Sequence, residues 1–159
     1  MSTERQVPAD EIIRRRLRRL FERGIFQGFH EAASRHGKIQ FRFRWLLSHD
    51  FVLVLDQKRH KLIASDLLPA IAYRSFIDTD LRRFVAQRFD PKRPVHRRLD
   101  TKLITLSLNN RKQSVSLVMS TRQYEYAINS MLGVLNDLFA HLHLYHIDYL
   151  HQNFGLPEE

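Results

Sequence analysis

The sequence contains no cysteine, which excludes disulfide bonds and thiolate metal sites. Glycine is also scarce, with five in 159 residues, so there is little material for a phosphate-cradling loop. No purely apolar run approaches the ~20 residues that a membrane-spanning helix needs, and the N-terminal stretch lacks the apolar centre of a secretory signal. We therefore expect an unexported, cytoplasmic protein with no transmembrane segment.

Enzyme motifs are missing as well. The chain has no nucleophile elbow and no zincin motif. Ser48-His49-Asp50 contains the residue types of a catalytic triad, but adjacent residues cannot form a triad by themselves. We expect no catalytic residues, no cofactor and no metal.

Acidic residues are few relative to basic ones, with 17 against 26, which gives a formal net charge of +9. Such an excess favours anionic partners. The composition, 43% hydrophobic and 27% charged, is that of a globular protein. The length predicts a single domain over residues 1–159, with residues 1–8 expected to be disordered.

The N-terminal segment has helical periodicity. Apolar residues recur at helical spacing over residues 13–33, which predicts a helix that begins near Pro8 and ends near His36. Gly24 and Gly28 weaken its middle, so we expect a kink or break between them.

Strands and two further helices follow. Five segments have the two-residue alternation or the short apolar run of β-strands; they are residues 39–47, 51–55, 60–65, 101–108 and 114–119. Helices are predicted at 78–89 and, in one long C-terminal element, from about 121 to 154. The order α–βββ–α–ββ–α predicts an α+β domain with one mostly antiparallel five-stranded sheet and helices packed on it.

This element order, carried by the five strand patterns and the two later helices, resembles the fold of type III secretion chaperones and of the related YbjN-like proteins. The resemblance implies a dimeric, non-enzymatic protein that binds extended segments of other proteins. It rests on element order alone, so no site residue is carried over from the family.

Four histidines lie within residues 139–154. If that segment is one continuous helix, His146 lies in the middle of the apolar arc and His143 at its edge, while His141 and His151 point towards solvent. No carboxylate joins His143 and His146 on that arc. We therefore predict that His146 is a packed, hydrogen-bonded imidazole rather than a metal ligand.

The same helix is apolar nearly all round. Leu144 and Ile147 fall outside its main apolar arc, and such a helix is usually covered on more than one side. With Tyr145 they are our predicted partner-contact residues. The first functional hypothesis is thus a non-enzymatic, chaperone- or regulator-like module that binds another protein, itself as a homodimer, or both.

The alternative hypothesis is non-specific nucleic-acid binding. Residues 14–19 contain five arginines in six positions, and residues 92–98 add a second basic cluster. If these clusters share one surface, they could bind a phosphate backbone. The residues proposed for this role are Arg14, Arg15, Arg18, Arg19, Arg97 and Arg98. Membrane-surface binding is not expected, although residues 11–23 form an amphipathic cationic segment.

Overall fold

The structure is a computed structural model that describes residues 7–33, 35–46, 49–87 and 104–154. Its helices are α1 (Ala9–Glu22), α2 (Phe76–Gln87), α3 (Tyr124–Tyr145) and α4 (Ile147–Phe154). Its strands are β1 (Gln27–Ala33), β2 (Lys38–Trp45), β3 (His49–Asp56), β4 (Lys61–Leu68), β5 (Ile104–Asn109) and β6 (Ser114–Ser120). The predicted α+β class is confirmed. None of the helices in these four ranges has the length and apolarity to span a membrane.

The strands form one antiparallel sheet in the order β1-β2-β3-β4-β6-β5. Its alternation is clearest in β2, where Phe41 and Phe43 are buried while Arg42 and Arg44 are exposed. The inward side chains of the strands and the apolar faces of the helices form one core cluster. Removing this apolar surface from water is the main force that holds the helices against the sheet.

The sheet has six strands where the sequence predicted five, because the predicted first helix is wrong in its second half. α1 ends at Glu22, and Gly24 then adopts φ 78°, a left-handed conformation that stops a right-handed helix. Phe26 turns inward and stacks on Phe43 with ring centroids 4.3 Å apart. β1 follows and pairs along one edge of β2. Nearly all of its side chains are exposed, so it lacks the alternation that would have predicted a strand.

The predicted long C-terminal helix is also wrong in one respect, because it is broken at His146. That residue has φ −138° and ψ 45° and separates α3 from α4. Two contacts hold α4 in its new direction. The Tyr149 hydroxyl donates to the Pro69 carbonyl at 2.5 Å, and the Phe154 ring packs edge-on against His49 at 4.6 Å. No glycine or proline lies at this break, so the local sequence does not indicate it. The two tertiary contacts hold it instead.

Of residues 1–8, for which disorder was predicted, the structure describes only the last two. Residues 1–6 lie outside the described part. Pro8 leads directly into α1, where the Ile12 N–H donates to the Pro8 carbonyl at 3.1 Å.

Candidate functional site

Two of the four C-terminal histidines lie within hydrogen-bond distance of one carboxylate, that of Asp80. Nε2 of His141 lies 2.7 Å from Oδ2 of Asp80, and Nε2 of His146 lies 2.6 Å from the same oxygen. An ionised carboxylate only accepts hydrogen bonds, so each ring donates its Nε2–H. Among the residues that the structure describes, these three are the one group of His, Asp and Glu side chains whose ligand atoms converge closely enough for a metal ion.

α2 presents Asp80 because its first turn is firmly capped. The Asp78 N–H donates to Ser75 Oγ at 3.2 Å, and the buried Asp78 carboxylate accepts the Arg74 N–H at 2.9 Å. This is a variant of the capping box: it satisfies the Asp78 N–H, which the first turn would leave unpaired, and the N–H of Arg74 just before the helix. Arg82 adds an ion pair to Asp78 at 3.1 Å. Asp80, two residues further along, therefore projects from a well-defined helical turn.

The helix break at His146 is what allows both histidines to reach Asp80. On a continuous helix, positions five apart point about 140° away from each other. Because His146 has left the helical conformation, its ring turns back beside that of His141, with centroids 5.9 Å apart. This position differs from the prediction, which placed His141 among solvated residues and expected no carboxylate beside His146.

The electrostatics favour an ionised Asp80. Its side chain is only 19% exposed, and burial alone would raise its pKa. The hydrogen bonds from His146 and His141 outweigh burial, so the pKa of Asp80 lies below its ordinary value. The result is a negative charge held between two imidazole rings in a partly buried position.

A pocket of about 390 Å³ opens beside these three side chains. We call it the α2–α3 pocket, and it is lined by Phe76, Asp80, Arg83, Phe84, Gln87, His141, Tyr145 and His146. The Phe76 ring lies 5.9 Å from that of His146, and the Tyr145 ring lies 4.9 Å from that of His141. Two exposed aromatic rings therefore flank the histidine pair.

The predicted partner-contact residues separate into two groups. Leu144 and Tyr145 are exposed, at 73% and 69% of their full surface, whereas Ile147 is half-buried against the core. The fold adds Phe76, which is 82% exposed at the start of α2. We call Phe76, Leu144 and Tyr145 the apolar rim. Sequence patterns gave no signal for Phe76, because a single exposed phenylalanine looks like any core residue.

The predicted arginine surface is only partly assembled. Arg14 forms ion pairs with Asp10 at 2.9 Å and with Glu31 at 2.5 Å, and Arg15 pairs with Glu11 at 2.6 Å. The hydrogen bond from Arg14 lowers the pKa of the Glu31 carboxyl despite partial burial. Arg18 and Arg19 are exposed. Arg97 and Arg98 lie outside the described residues.

A groove between α1 and α3 does collect four guanidinium groups. Its volume is about 800 Å³, and its charged lining residues are Arg15, Arg16, Arg19, Arg122 and Glu125. Arg16 donates from Nε to the side-chain oxygen of Asn129 at 2.8 Å, which ties α1 to α3. Arg16 and Arg122 were not among the arginines predicted from the sequence.

The other histidines of the C-terminal segment do not join this site. His143 is exposed and His151 is partly buried. His49, from β3, lies instead among the rings of Phe51, Phe139 and Phe154. Burial there lowers the pKa of His49.

Comparisons of the chain with protein-family models, with curated proteins and with solved structures find no match.

Proposed function

We propose that this protein is a non-enzymatic module that binds another protein through the apolar rim and the adjoining α2–α3 pocket. The exposure of Phe76, Leu144 and Tyr145 is the observation that carries the proposal. Single exposed apolar residues are ordinary, but Phe76 and Tyr145 line one pocket, and exposed rings at a pocket are typical of an interaction site. Leu144, next to Tyr145 in α3, adds a third exposed apolar side chain. Here the rings of Phe76, His146, His141 and Tyr145 follow one another at 4.9 to 5.9 Å.

Charge supports a heterologous partner. The chain carries a formal net charge of +9, so two copies repel each other, and a high net charge favours the monomer. Arg83 lines the pocket, and Arg74 lies over the ring of Tyr73 at 5.1 Å near the start of α2. The best partner is therefore a protein segment that combines carboxylates with one or two apolar anchors.

A chaperone- or regulator-like role agrees with this chemistry. Capture of extended segments of other proteins is what the resemblance to type III secretion chaperones and YbjN-like proteins implies. The additional strand β1 departs from the element order on which that resemblance depends. We accordingly base the proposal on the apolar rim. The chaperone- or regulator-like role is the biological role that we propose for it.

The test is selection from a peptide library displayed on phage, followed by affinity measurements on purified peptides. We expect enriched peptides to contain Asp or Glu beside Leu or Phe. Their affinity should fall at least tenfold for the double variant Leu144→Ser, Tyr145→Ser. The matched control is Phe21→Ser, which removes an exposed ring on α1 and should leave affinity unchanged.

Two results would overturn the proposal. One is that enriched peptides bind the double variant as tightly as the unmodified chain. The other is a monomer–dimer equilibrium in light scattering that the double variant abolishes, which would assign the apolar rim to a second copy.

Non-specific nucleic-acid binding remains a second candidate because of the groove between α1 and α3. Four guanidinium groups in one groove can bind successive phosphates by releasing condensed counterions. Binding of a labelled duplex should then weaken steeply between 50 and 200 mM salt. The double variant Arg19→Gln, Arg122→Gln should lower the slope of log K against log salt by about two, roughly one for each phosphate contact. An affinity for the duplex that does not change with salt concentration would contradict this candidate.

A further inference from the structure

We propose that Asp80, His141 and His146 form a binding site for a divalent transition-metal ion, and that Zn²⁺ is the ion it suits best. The donor set consists of Nε2 of each imidazole and one carboxylate oxygen. When the ion replaces the two hydrogen bonds to Asp80, each neutral ring carries its proton on Nδ1, which leaves the Nε2 lone pair for the metal. Zn²⁺ binds these donors in proteins at about 2.0–2.2 Å, and imidazole selects transition metals over Mg²⁺ and Ca²⁺. This inference does not depend on the proposed protein-binding function.

The distances need little adjustment to accept the ion. The three ligand atoms all lie within 4.8 Å of one another. Around a tetrahedral Zn²⁺, bond lengths of about 2.0–2.1 Å place neighbouring ligand atoms roughly 3.3 Å apart. The present separations from Asp80 Oδ2 are 2.7 Å to His141 and 2.6 Å to His146. Both separations from Asp80 must therefore open by less than about 1 Å, and the two imidazole nitrogens, which lie within 4.8 Å of each other, must close by no more than about 1.5 Å.

The site is also built on firm supports. Asp80 lies two residues after the capping residue Asp78 of α2, His141 lies on α3, and His146 is the residue at which α3 ends. The His146 N–H still donates to the Leu142 carbonyl at 2.7 Å, which fixes the backbone at the break. The Phe84 ring packs on the imidazole of His141 at 4.9 Å. Ligands held in this way lose little conformational freedom when the ion binds.

Three protein ligands leave a tetrahedral ion with one further position. Structural zinc sites usually use four protein ligands, whereas sites with three keep a position for water or an exchangeable ligand. The α2–α3 pocket adjoins the three side chains, and Arg83 lines it. The guanidinium favours an anionic fourth ligand, such as a carboxylate or hydroxide.

The test is calorimetric titration of the untagged, EDTA-treated full chain with ZnCl₂. We expect one site per chain. Asp80→Asn, His141→Gln and His146→Gln should each lower the affinity at least about tenfold, because even groups that only support metal ligands contribute that much. His143→Gln is the matched control, since it removes an exposed imidazole from the same helix and should leave affinity unchanged. The chain has nine histidines, so this comparison separates the site from adventitious binding.

A second measurement uses the unmodified chain and does not depend on whether a variant folds. Imidazole resonances followed by NMR during the zinc titration should shift for His141 and His146 and stay in place for His143. Resonances that shift equally for all histidines would overturn the proposal. So would zinc affinity that is the same in His146→Gln and His143→Gln. Either result would leave Asp80 as a purely structural acceptor for the two rings.

Discussion

Replacing Asp80 by asparagine tests how much the shared carboxylate contributes to the fold. In the unmodified chain it accepts two hydrogen bonds, from His141 and His146, and bonds to a charged group contribute about 1.5–3 kcal/mol each. The asparagine oxygen can still accept, but without the charge. We therefore expect the free energy of unfolding to fall by about 2 kcal/mol at pH 7, since about half of the combined contribution of about 3–6 kcal/mol would be lost.

Urea denaturation in the presence of EDTA measures this loss without any contribution from a metal. For a protein of this size the dependence on urea is on the order of 2 kcal/mol per molar, so the midpoint should fall by about 1 M. The pKa of Asp80 is lowered in the fold. Its contribution is thus complete above the ordinary aspartate pKa of about 3.9 and is lost only as the pH falls through the folded pKa.

Glu22→Gln is the control for this experiment, because Glu22 is an exposed carboxylate at the end of α1. Its midpoint should change by no more than the equivalent of about 0.5 kcal/mol. Equal midpoints for Asp80→Asn and the unmodified chain would refute the reasoning. The two histidine contacts would then contribute nothing net to the stability of the fold.

Three further changes test other parts of the structure. Gly24→Ala should destabilise the protein by about 1–2 kcal/mol in thermal melts because of the left-handed backbone at Gly24. Gly133→Ala is the control: Gly133 lies within helix α3 and is equally uncrowded, so this change should stabilise the protein by about 0.5–1 kcal/mol. Equal effects of the two changes would contradict the account of the α1 terminus. Burial lowers the pKa of His49, so the unfolded chain takes up that proton first, and the free energy of unfolding should fall as the pH drops below about 6.5. For His49→Phe, the free energy of unfolding measured in urea melts should fall less steeply between pH 7 and 5. Equal pH dependence in the variant and the unmodified chain would argue against a buried imidazole. Tyr149→Phe removes the hydrogen bond to Pro69 and should lower the free energy of unfolding by about 1 kcal/mol, and an unchanged urea midpoint would show that this bond does not hold α4.

The sequence predicted those elements whose side chains alternate between core and water. Phe41 and Phe43 in β2 alternate with arginines, and the buried residues of α1 recur at helical spacing, so both elements were predictable from local pattern. β1 was not, because an edge strand with mostly exposed side chains carries no hydrophobic period. Its pairing with β2 is a property of the folded sheet, not of residues 27–33 alone.

The candidate site was harder to predict because it depends on two long-range events. Asp80 and His146 are 66 positions apart, and no local pattern connects them. His141 lies within α3, and its partial burial comes from Asp80 and Phe84 of α2, which pack against it. The predicted position of His146 assumed a continuous helix, and the break at His146 removes that assumption. The exposure of Leu144 and Tyr145 agrees with the sequence pattern, because apolar residues outside the main arc of a helix are visible in its periodicity. Their role as partner contacts stays a prediction.

The most direct test of the account is whether ligands bind at the corner where α2 meets the end of α3. The measurement is NMR mapping of amide shifts when the most enriched acidic peptide is added to the labelled full chain. We predict that the largest shifts lie at Phe76, Leu144 and Tyr145. Shifts confined instead to the groove between α1 and α3, around Arg16 and Arg122, would contradict it.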